Sequence, residues 1–340
     1  MFDPVLLRSL TGTPLRVQCA VLPVPAPDGG AVDVPREWAV VRVRLRGAGS
    51  TGRGEATLLP YLEADSREAV SEQLASIEAE LARVISPLQL PDLLPPGPLR
   101  SALDTALWDL LAKRSGQRAW ELLGVPRPRP VPVVRTLPLL EHTRLESELR
   151  HSDGFSSLKL KLGAGAVEDD LARLDAVRRH RPDAWLMADA DGGWDVDRLH
   201  AMLPKLAEHG VRVLEQPLPE AESSALVTLR RPFPIIADLS RGDIGDLGRL
   251  VARYDGINLK LDAVGGLTTA LAMMEQAEQR GLLVLLGSPP ATARSWAATL
   301  HAAPAADLVN VPQTLRVPGE PHEPQRPNGP RARPATDLWG

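Results

Sequence analysis

Five charged residues end or follow successive apolar stretches in the second half of this chain. They are Lys161, Asp189, Glu215, Asp238 and Lys260, spaced 22 to 28 residues apart. Such intervals suit one strand plus one helix each, and a (β/α) barrel brings the carboxyl ends of its strands to one rim. Three carboxylates between two lysines can hold a hard divalent cation next to two bases. The spacing therefore predicts a metal-assisted proton-transfer site.

The elements that must position these side chains are β-like stretches that alternate with amphipathic helical patterns after residue 130. The predicted strands are Val131–Leu137, Ser157–Leu162, Ala184–Ala188, Val211–Leu214, Pro234–Ala237, Gly256–Leu259, Leu282–Leu286 and Asp307–Val311. Charged residues at the ends of five successive strands favour a closed parallel barrel over a doubly wound sheet.

The first part of the chain has strand patterns first and helical patterns later. β-rich stretches cover residues 15–22 and 38–45, and apolar residues at helical spacing cover 66–84 and 101–113. A proline-punctuated stretch at residues 125–130 marks a boundary. We predict an α+β domain over residues 1–125, a (β/α) barrel over residues 126–314 and an irregular proline-rich tail over residues 315–340.

A glycine-rich stretch from Gly47 to Gly52 matches the dinucleotide-binding pattern GxGxxG. That pattern requires a helix to begin at the glycines, whereas Arg53-Gly54-Glu55 follows here. We therefore predict that the glycines form a hairpin turn and bind no nucleotide.

Composition and charge narrow the class of partner. The net charge of the 340 residues is −4 with acidic and basic residues mixed, which argues against nucleic acid and favours a small-molecule ligand. The single cysteine, Cys19, excludes an intramolecular disulfide and fits a reducing compartment. A secretory segment and a run of transmembrane length are both missing from the sequence, so we predict a cytoplasmic protein without a membrane partner. A homo-oligomer is compatible with the sequence.

Short motifs occur in a consistent order between about Leu15 and Val311. They are Gly52-Arg53-Gly54-Glu55-Ala56, Ala102–Leu111, Lys159-Leu160-Lys161, Asp189–Trp194, Glu215-Gln216-Pro217 and Asn258-Leu259-Lys260-Leu261. As an ordered set they resemble the muconate-lactonizing subgroup of the enolase superfamily, and dipeptide epimerases in particular. The resemblance implies a (β/α)7β barrel with an N-terminal α+β capping domain, whose loops at residues 24–34 and 57–61 close the site.

The predicted metal ligands are the three strand-end carboxylates. Asp189, Glu215 and Asp238 offer hard oxygen ligands that suit Mg²⁺, and histidine or cysteine ligands for zinc are not nearby in the sequence. A bound cation stabilises the enediolate that forms when a proton α to a carboxylate leaves.

The predicted proton-transfer groups are lysines. The resemblance makes Lys161 the acid/base and Lys159 its helper, and we expect the charges of Lys159 and of the cation to lower the pKa of Lys161. Lys260, on a strand across the barrel, would address the opposite face of the α-carbon. Two bases on opposite faces permit racemisation or epimerisation, whereas one base and one cationic lysine permit syn-elimination or cycloisomerisation.

Three further residues are predicted substrate contacts, namely Thr136, Ser288 and Asp307. In dipeptide epimerases a D-x-D motif at the eighth strand binds the substrate's ammonium group, and here Asp307-Leu308-Val309 keeps one acid. Leu239 also departs from the family pattern, since it replaces the glutamate of D-E-S, and Asp191 replaces the asparagine of D-A-N. An N-acylated amino acid is therefore an alternative substrate.

The sequence predicts epimerisation of a dipeptide as the leading activity. The alternatives within the superfamily are o-succinylbenzoate synthase, N-succinylamino acid racemase and cycloisomerase chemistry on the same residues. A different class, a catalytically silent relative that binds a carboxylate or acts as a scaffold, is motivated by Leu239 and Val309.

Overall fold

The N-terminal part of the protein contains a three-stranded antiparallel sheet. The computed structural model describes residues 15–26, 37–47, 49–59, 66–81, 86–239, 247–318 and 331–332. The strands β1 (Arg16–Pro25), β2 (Glu37–Gly47) and β3 (Ser50–Leu58) pair in chain order. Gly47 pairs with Ser50, so the predicted hairpin at the glycine-rich stretch is confirmed. Of the predicted closing loops, residues 27–34 and 60–61 lie outside the described residues.

Helices follow the sheet, and the longest of them packs against β2 and β3. They are α1 (Arg67–Ser76), α2 (Glu78–Leu81), α3 (Leu90–Leu93), α4 (Pro98–Ser115) and α5 (Ala119–Leu122). The longest, α4, begins with a proline at its first position and is followed by Gly116, which adopts a left-handed φ of 67°. Every residue from Pro98 to Ala112 is buried, because α4 lies between the sheet and the barrel.

The packing of α4 against β3 explains why positions 52 and 54 are glycines, which the hairpin turn does not explain. A Cβ atom added at Gly52 would collide with the carbonyl oxygen of Ala106, and one at Gly54 with that of Ala102. The glycines therefore allow the backbone of α4 to approach that of β3, a role that the sequence interpretation missed.

Eight parallel strands form a closed barrel. They are β5 (Val134–Leu137), β6 (Ser157–Lys161), β7 (Trp185–Asp189), β8 (Val211–Glu215), β9 (Ile235–Leu239), β10 (Gly256–Lys260), β11 (Leu283–Gly287) and β12 (Leu308–Val311). The ring closes where β12 pairs with β5. The predicted (β/α)7β barrel with an N-terminal α+β domain is thus confirmed.

The first predicted barrel strand is divided in the structure. Before β5 lies a short strand β4 (Val131–Pro132), which pairs with β13 (Arg331–Ala332) from the predicted tail. Pro132 has no N–H to donate to the barrel ladder, which is consistent with a break at this point. Residues 319–330 and 333–340 of the predicted tail lie outside the described residues.

The connections between barrel strands are mainly helical. They contain α6 (His142–Arg150), α7 (Val167–His180), α8 (Val196–Glu208), a 3-10 segment (Glu220–Thr228), α9 (Leu247–Leu250), α10 (Leu261–Val264), α11 (Leu267–Gln279) and α12 (Ala293–Ala302). In α8, Leu199, Met202, Leu203 and Leu206 face the barrel at helical spacing. No helix in the described ranges combines the length and apolarity needed to cross a bilayer.

Apolar side chains close the interior of the barrel beneath its carboxyl rim. Met187, Val213, Ile236 and Leu285 form one buried cluster. Because side chains alternate along a strand, the residue two positions after each of the first three faces the same interior. Those residues are Asp189, Glu215 and Asp238. The predicted site therefore lies directly above an apolar floor.

Candidate active site

The three predicted metal ligands lie on adjacent strands at the carboxyl rim. Asp189 and Glu215 are the last residues of β7 and β8 and pair with each other in the ladder. Asp238 lies near the end of β9, opposite Asn258 of β10. Asp189 is 1% exposed and Glu215 is fully buried. The structure thus brings together carboxylates that are far apart in the sequence.

Two lysines of β6 contact these carboxylates. Lys159 Nζ lies 2.8 Å from Asp189 Oδ2 and 2.8 Å from Glu215 Oε2, so it bridges the two acids. Lys161 Nζ lies 3.0 Å from Asp189 Oδ2 and 2.9 Å from Asp191 Oδ2. The predicted alternation, with both lysines on one side of the strand, is consistent with these contacts.

The third lysine approaches from the other side of the barrel. Lys260 Nζ lies 2.7 Å from Asp238 Oδ2. Lys260 ends β10 and Lys161 ends β6, and three strands separate β6 from β10 in either direction around the ring. The ammonium groups of Lys161 and Lys260 are therefore carried by opposite walls of the barrel mouth.

The ion pairs raise the pKa values of the β6 lysines. Burial lowers the pKa of Lys161, but the charges of Asp189, Asp191 and Glu215 outweigh burial, and the pKa lies well above its ordinary value. Burial and the charge of Lys161 also lower the pKa of Lys159. The charges of Asp189 and Glu215 outweigh them, so this pKa too lies above its ordinary value. These directions follow from the charges of the protein itself, and the lowering of the Lys161 pKa by a bound cation stays a prediction.

The two buried carboxylates have opposite pKa shifts. Burial raises the pKa of Asp189, but the charges of Lys159 and Lys161 outweigh burial, and the pKa lies well below its ordinary value. Burial and the charge of Asp189 raise the pKa of Glu215 to about 7, against the lowering effect of Lys159. Glu215 is therefore the carboxylate of this group that most needs a further positive charge.

The donor chemistry of the site fits a hard cation. Asp238 Oδ1 is buried and accepts no hydrogen bond, which leaves an acceptor oxygen for a cation. Within the described ranges, no three His, Cys, Asp or Glu side chains already form a ligand set. The contacts explain this, since Lys159 lies between Asp189 and Glu215, and Lys260 pairs with Asp238.

Two neutral side chains orient the carboxylates and were not among the predicted site residues. Asn258 Nδ2 donates to Glu215 Oε1 at 2.5 Å. Gln216 Oε1 accepts from the backbone N–H of Asp238 at 2.9 Å, and its φ of 37° is unusual for a residue other than glycine. Strand alternation could have identified Asn258, because it lies two positions before Lys260 and therefore faces the same interior.

The predicted substrate contacts are divided between the two rims. Thr136 pairs with Lys159 in the ladder, and its Oγ1 accepts from Asn310 Nδ2 at 2.8 Å. Ser288 directly follows β11 and so lies at the carboxyl rim. Asp307, in contrast, precedes β12, and its Oδ2 accepts from the Val284 N–H at 2.8 Å.

Asp307 therefore lies at the amino rim, and the structure does not bring it to the site. The sequence interpretation placed this acid at the eighth strand without considering which end of the strand carries it. In the carboxyl half of β12 the inward position belongs to Asn310, a buried neutral residue.

Comparison with known proteins agrees with this fold and arrangement. Residues 16–124 match the N-terminal domain of the mandelate racemase / muconate lactonizing enzyme family, and residues 143–329 match the enolase C-terminal domain-like family. The chain therefore belongs to the mandelate racemase / muconate lactonizing enzyme family of the enolase superfamily, as its motifs predicted.

Individual relatives of this chain are named as epimerases. The L-Ala-D/L-Glu epimerase of Escherichia coli (strain K12) is 36% identical over 290 residues, which cover 84% of this chain and 89% of that protein. An enolase family member from Agrobacterium tumefaciens with homology to dipeptide epimerases, solved with sodium and L-Ala-L-Glu, has a TM-score of 0.86. It is 31% identical, and the match covers 97% of this chain and 100% of that chain.

A dipeptide epimerase from Methylococcus capsulatus provides a comparison with magnesium bound. Its crystal structure, a complex with Mg and L-Arg-D-Lys, has a TM-score of 0.75 and 28% identity, and the match covers 87% of this chain and 89% of that chain. Relatives with this fold thus bind a cation and a dipeptide.

Proposed function

We propose that this protein epimerises a dipeptide by removing the proton α to its carboxylate and returning a proton to the opposite face. The observation that carries the proposal is the placement of Lys161 and Lys260 on opposite walls of the barrel mouth, with carboxylates between them. One lysine, as the free amine, accepts the α-proton, and the other, as the ammonium, donates one. Reversal of these roles converts the product back to the substrate.

Mg²⁺ is the cofactor that these carboxylates support. Asp189, Glu215 and Asp238 would hold it, and when bound it supplies Lewis-acid stabilisation of the negative charge that develops on the substrate carboxylate. The unpartnered Oδ1 of Asp238 supports the assignment, and burial and nearby negative charge, which raise the pKa of Glu215, favour an added cation there. Lys159 then serves as the helper that orients Asp189 and Glu215.

The N-terminal α+β segment is proposed to cap the site. Its strand β3 reaches the barrel beside the carboxyl rim, where Thr57 Oγ1 donates to the Pro290 carbonyl at 2.7 Å. Glu55 Oε2 accepts from Thr292 Oγ1 at 2.6 Å, at the start of α12. These contacts attach β3 to the segment that follows Ser288, so the cap is positioned to contact a substrate there. The cytoplasmic location remains an expectation from the single cysteine.

A second candidate substrate is an N-acylated amino acid. The inward residue of the carboxyl half of β12 is the neutral Asn310, paired with Thr136, whereas Asp307 lies at the other rim. A charge-assisted hydrogen bond to an ammonium group contributes about 1.5 to 3 kcal/mol, and a neutral amide provides less. An N-acyl group does not need that charge.

Deuterium uptake at the α-carbon tests both candidates. The protein is incubated in D₂O with Mg²⁺ and either L-Ala-L-Glu or N-acetylglutamate, and mass shift and inversion are followed. Uptake with inversion of the dipeptide supports epimerisation, and uptake by the N-acetyl compound alone supports the second candidate. Substrate loss without uptake would indicate elimination or cycloisomerisation. No reaction despite measurable Mg²⁺ binding would indicate a catalytically silent relative.

Two variants complete this experiment. Replacing both lysines, Lys161→Ala with Lys260→Ala, should abolish uptake. The matched control is Lys205→Ala, because Lys205 is an exposed lysine of α8 that pairs with Glu208 at 3.2 Å, away from the rim. Its activity should equal that of the unaltered protein.

A further inference from the structure

The backbone at Lys161 is held by an arginine on the following helix. Arg173 of α7 donates from Nε to the Lys161 carbonyl at 3.1 Å. Its two other nitrogens donate to the carbonyls of Leu140 and Pro138 at 2.7 and 2.6 Å. The guanidinium is buried and all three bonds end on the main chain. Arg173 thus fixes the end of β6 against the loop that follows β5.

A buried carboxylate on the same helix holds the next part of that segment. Asp170, fully buried, accepts at Oδ1 from the N–H of Gly163, two residues after Lys161, at 3.0 Å. Its Oδ2 accepts from Trp194 Nε1 at 3.0 Å and from Arg198 at 2.6 Å. Arg173 and Asp170 therefore attach Lys161 and the residues directly after it to α7.

The segment after Lys260 is held by a different part of the protein. The short helix α10 begins directly after Lys260, and its Asp262 accepts at Oδ2 from the Thr57 N–H of β3 at 2.8 Å. Arg100 of α4 donates to the Val264 carbonyl at the end of α10, at 2.6 Å. The segment after Lys260 is thus attached to the N-terminal α+β part, whereas that of Lys161 is attached within the barrel.

We propose that the two lysines are positioned by separate networks, Arg173 and Asp170 for Lys161, and Asp262 for Lys260. The inference rests on the proposed two-base function. Each lysine serves one face of the α-carbon, so a fault in one network misplaces one base and slows α-proton exchange of one epimer. Arg173, Asp170 and Asp262 are positioning residues, since their described bonds go to the protein itself. A general structural role would slow both epimers alike.

The test measures the initial rate of α-deuterium uptake from each pure epimer in turn. Lys161→Ala and Lys260→Ala first assign each epimer to its lysine. Arg173→Lys should then slow uptake from the Lys161-dependent epimer at least about tenfold, since small misplacements cost up to about 100-fold, and change the other less than about twofold. Asp262→Asn should show the reverse selectivity.

Asp170→Asn is a second variant for the Lys161 network, in case Arg173→Lys fails to fold. It should show the same selectivity as Arg173→Lys. Its result supports or overturns the proposal independently.

Two matched controls separate positioning from folding. Arg178 also lies on α7 and also donates to backbone carbonyls, those of His209 and Ala184 at 2.6 and 2.8 Å, but these precede β8 and β7 at the amino rim. Asp109 is a buried carboxylate that accepts from the Arg53 N–H of β3 at 2.8 Å. Arg178→Lys and Asp109→Asn should leave the ratio of the two epimer rates unchanged.

Two results would overturn the proposal in distinguishable ways. Equal slowing of both epimers by Arg173→Lys, with normal exchange in the unaltered protein, would show that the networks are not separate. Failure of the unaltered protein to exchange either epimer would refute the two-base function itself, before any variant is compared.

Discussion

The pH dependence of stability should contain a large contribution from Asp104, a buried residue of α4. Burial raises the pKa of Asp104 from its ordinary value of 3.8 to about 7, against hydrogen bonds from Thr268 and the charge of Arg100, which lower it. The folded protein thus keeps a proton that the unfolded chain releases. The contribution of Asp104 to the free energy of unfolding is fully present below about pH 4 and is lost as the pH rises to about 7.

The size of this effect follows from the pKa shift. A shift of about 3 units at about 1.4 kcal/mol per unit gives a loss of roughly 4 kcal/mol between pH 4 and pH 8. The variant Asp104→Asn cannot ionise there. Its free energy of unfolding relative to the unaltered protein should therefore increase by roughly 4 kcal/mol over this range. The shift of Glu215 acts in the same direction, but it is common to both proteins and cancels.

Urea unfolding followed by circular dichroism, at a series of pH values from about 4 to about 8, measures this difference. Asp109→Asn is the control, because Asp109 is a buried carboxylate of the same helix but forms an ion pair with Lys113 at 2.6 Å. A difference between Asp104→Asn and the unaltered protein that stays flat within about 1 kcal/mol would refute the reasoning.

Three further outcomes are expected. Gly54→Ala should lower the free energy of unfolding, measured by chemical denaturation, by about 3 kcal/mol or more, because its Cβ meets backbone atoms of α4. Gly49→Ala should lower it by about 1 to 2 kcal/mol, because position 49 has open space around it but a φ of 78°. Asn258→Leu should cost about 1.5 to 3 kcal/mol, since Glu215 loses a hydrogen bond, and a stability unchanged within error would contradict this role. Chelation of divalent cations should abolish α-proton exchange and leave the circular dichroism spectrum unchanged, and exchange that persists in chelator would exclude the proposed cofactor.

The fold and the charged residues of the site could be predicted because each depends on a local pattern. Alternation along a strand places Lys159 and Lys161 on one side, and regular strand-helix spacing brings Asp189, Glu215 and Asp238 to one rim. These relations need only the strand period and the direction of the chain.

Other features depend on contacts between distant segments. The sequence does not show which end of β12 carries Asp307, because a shift of a few residues in a strand boundary moves a side chain from one rim to the other. The pKa of Lys161 depends on three carboxylates whose distances only the folded barrel defines. Arg173 acts on main-chain carbonyls, which leave no residue pattern to detect.

The apolar floor beneath the site has a kinetic consequence. Met187, Val213, Ile236 and Leu285 form an apolar cluster below the carboxylates, which disfavours passage of a charged substrate toward the amino rim. Charged substrate and product should therefore both enter and leave at the carboxyl rim. The two epimers compete for binding at one site, and each should inhibit conversion of the other at a concentration comparable to its own KM. The proposed cap would separate the lysine protons from bulk water, and the fraction of deuterium in the product would then measure how often the site opens between turnovers.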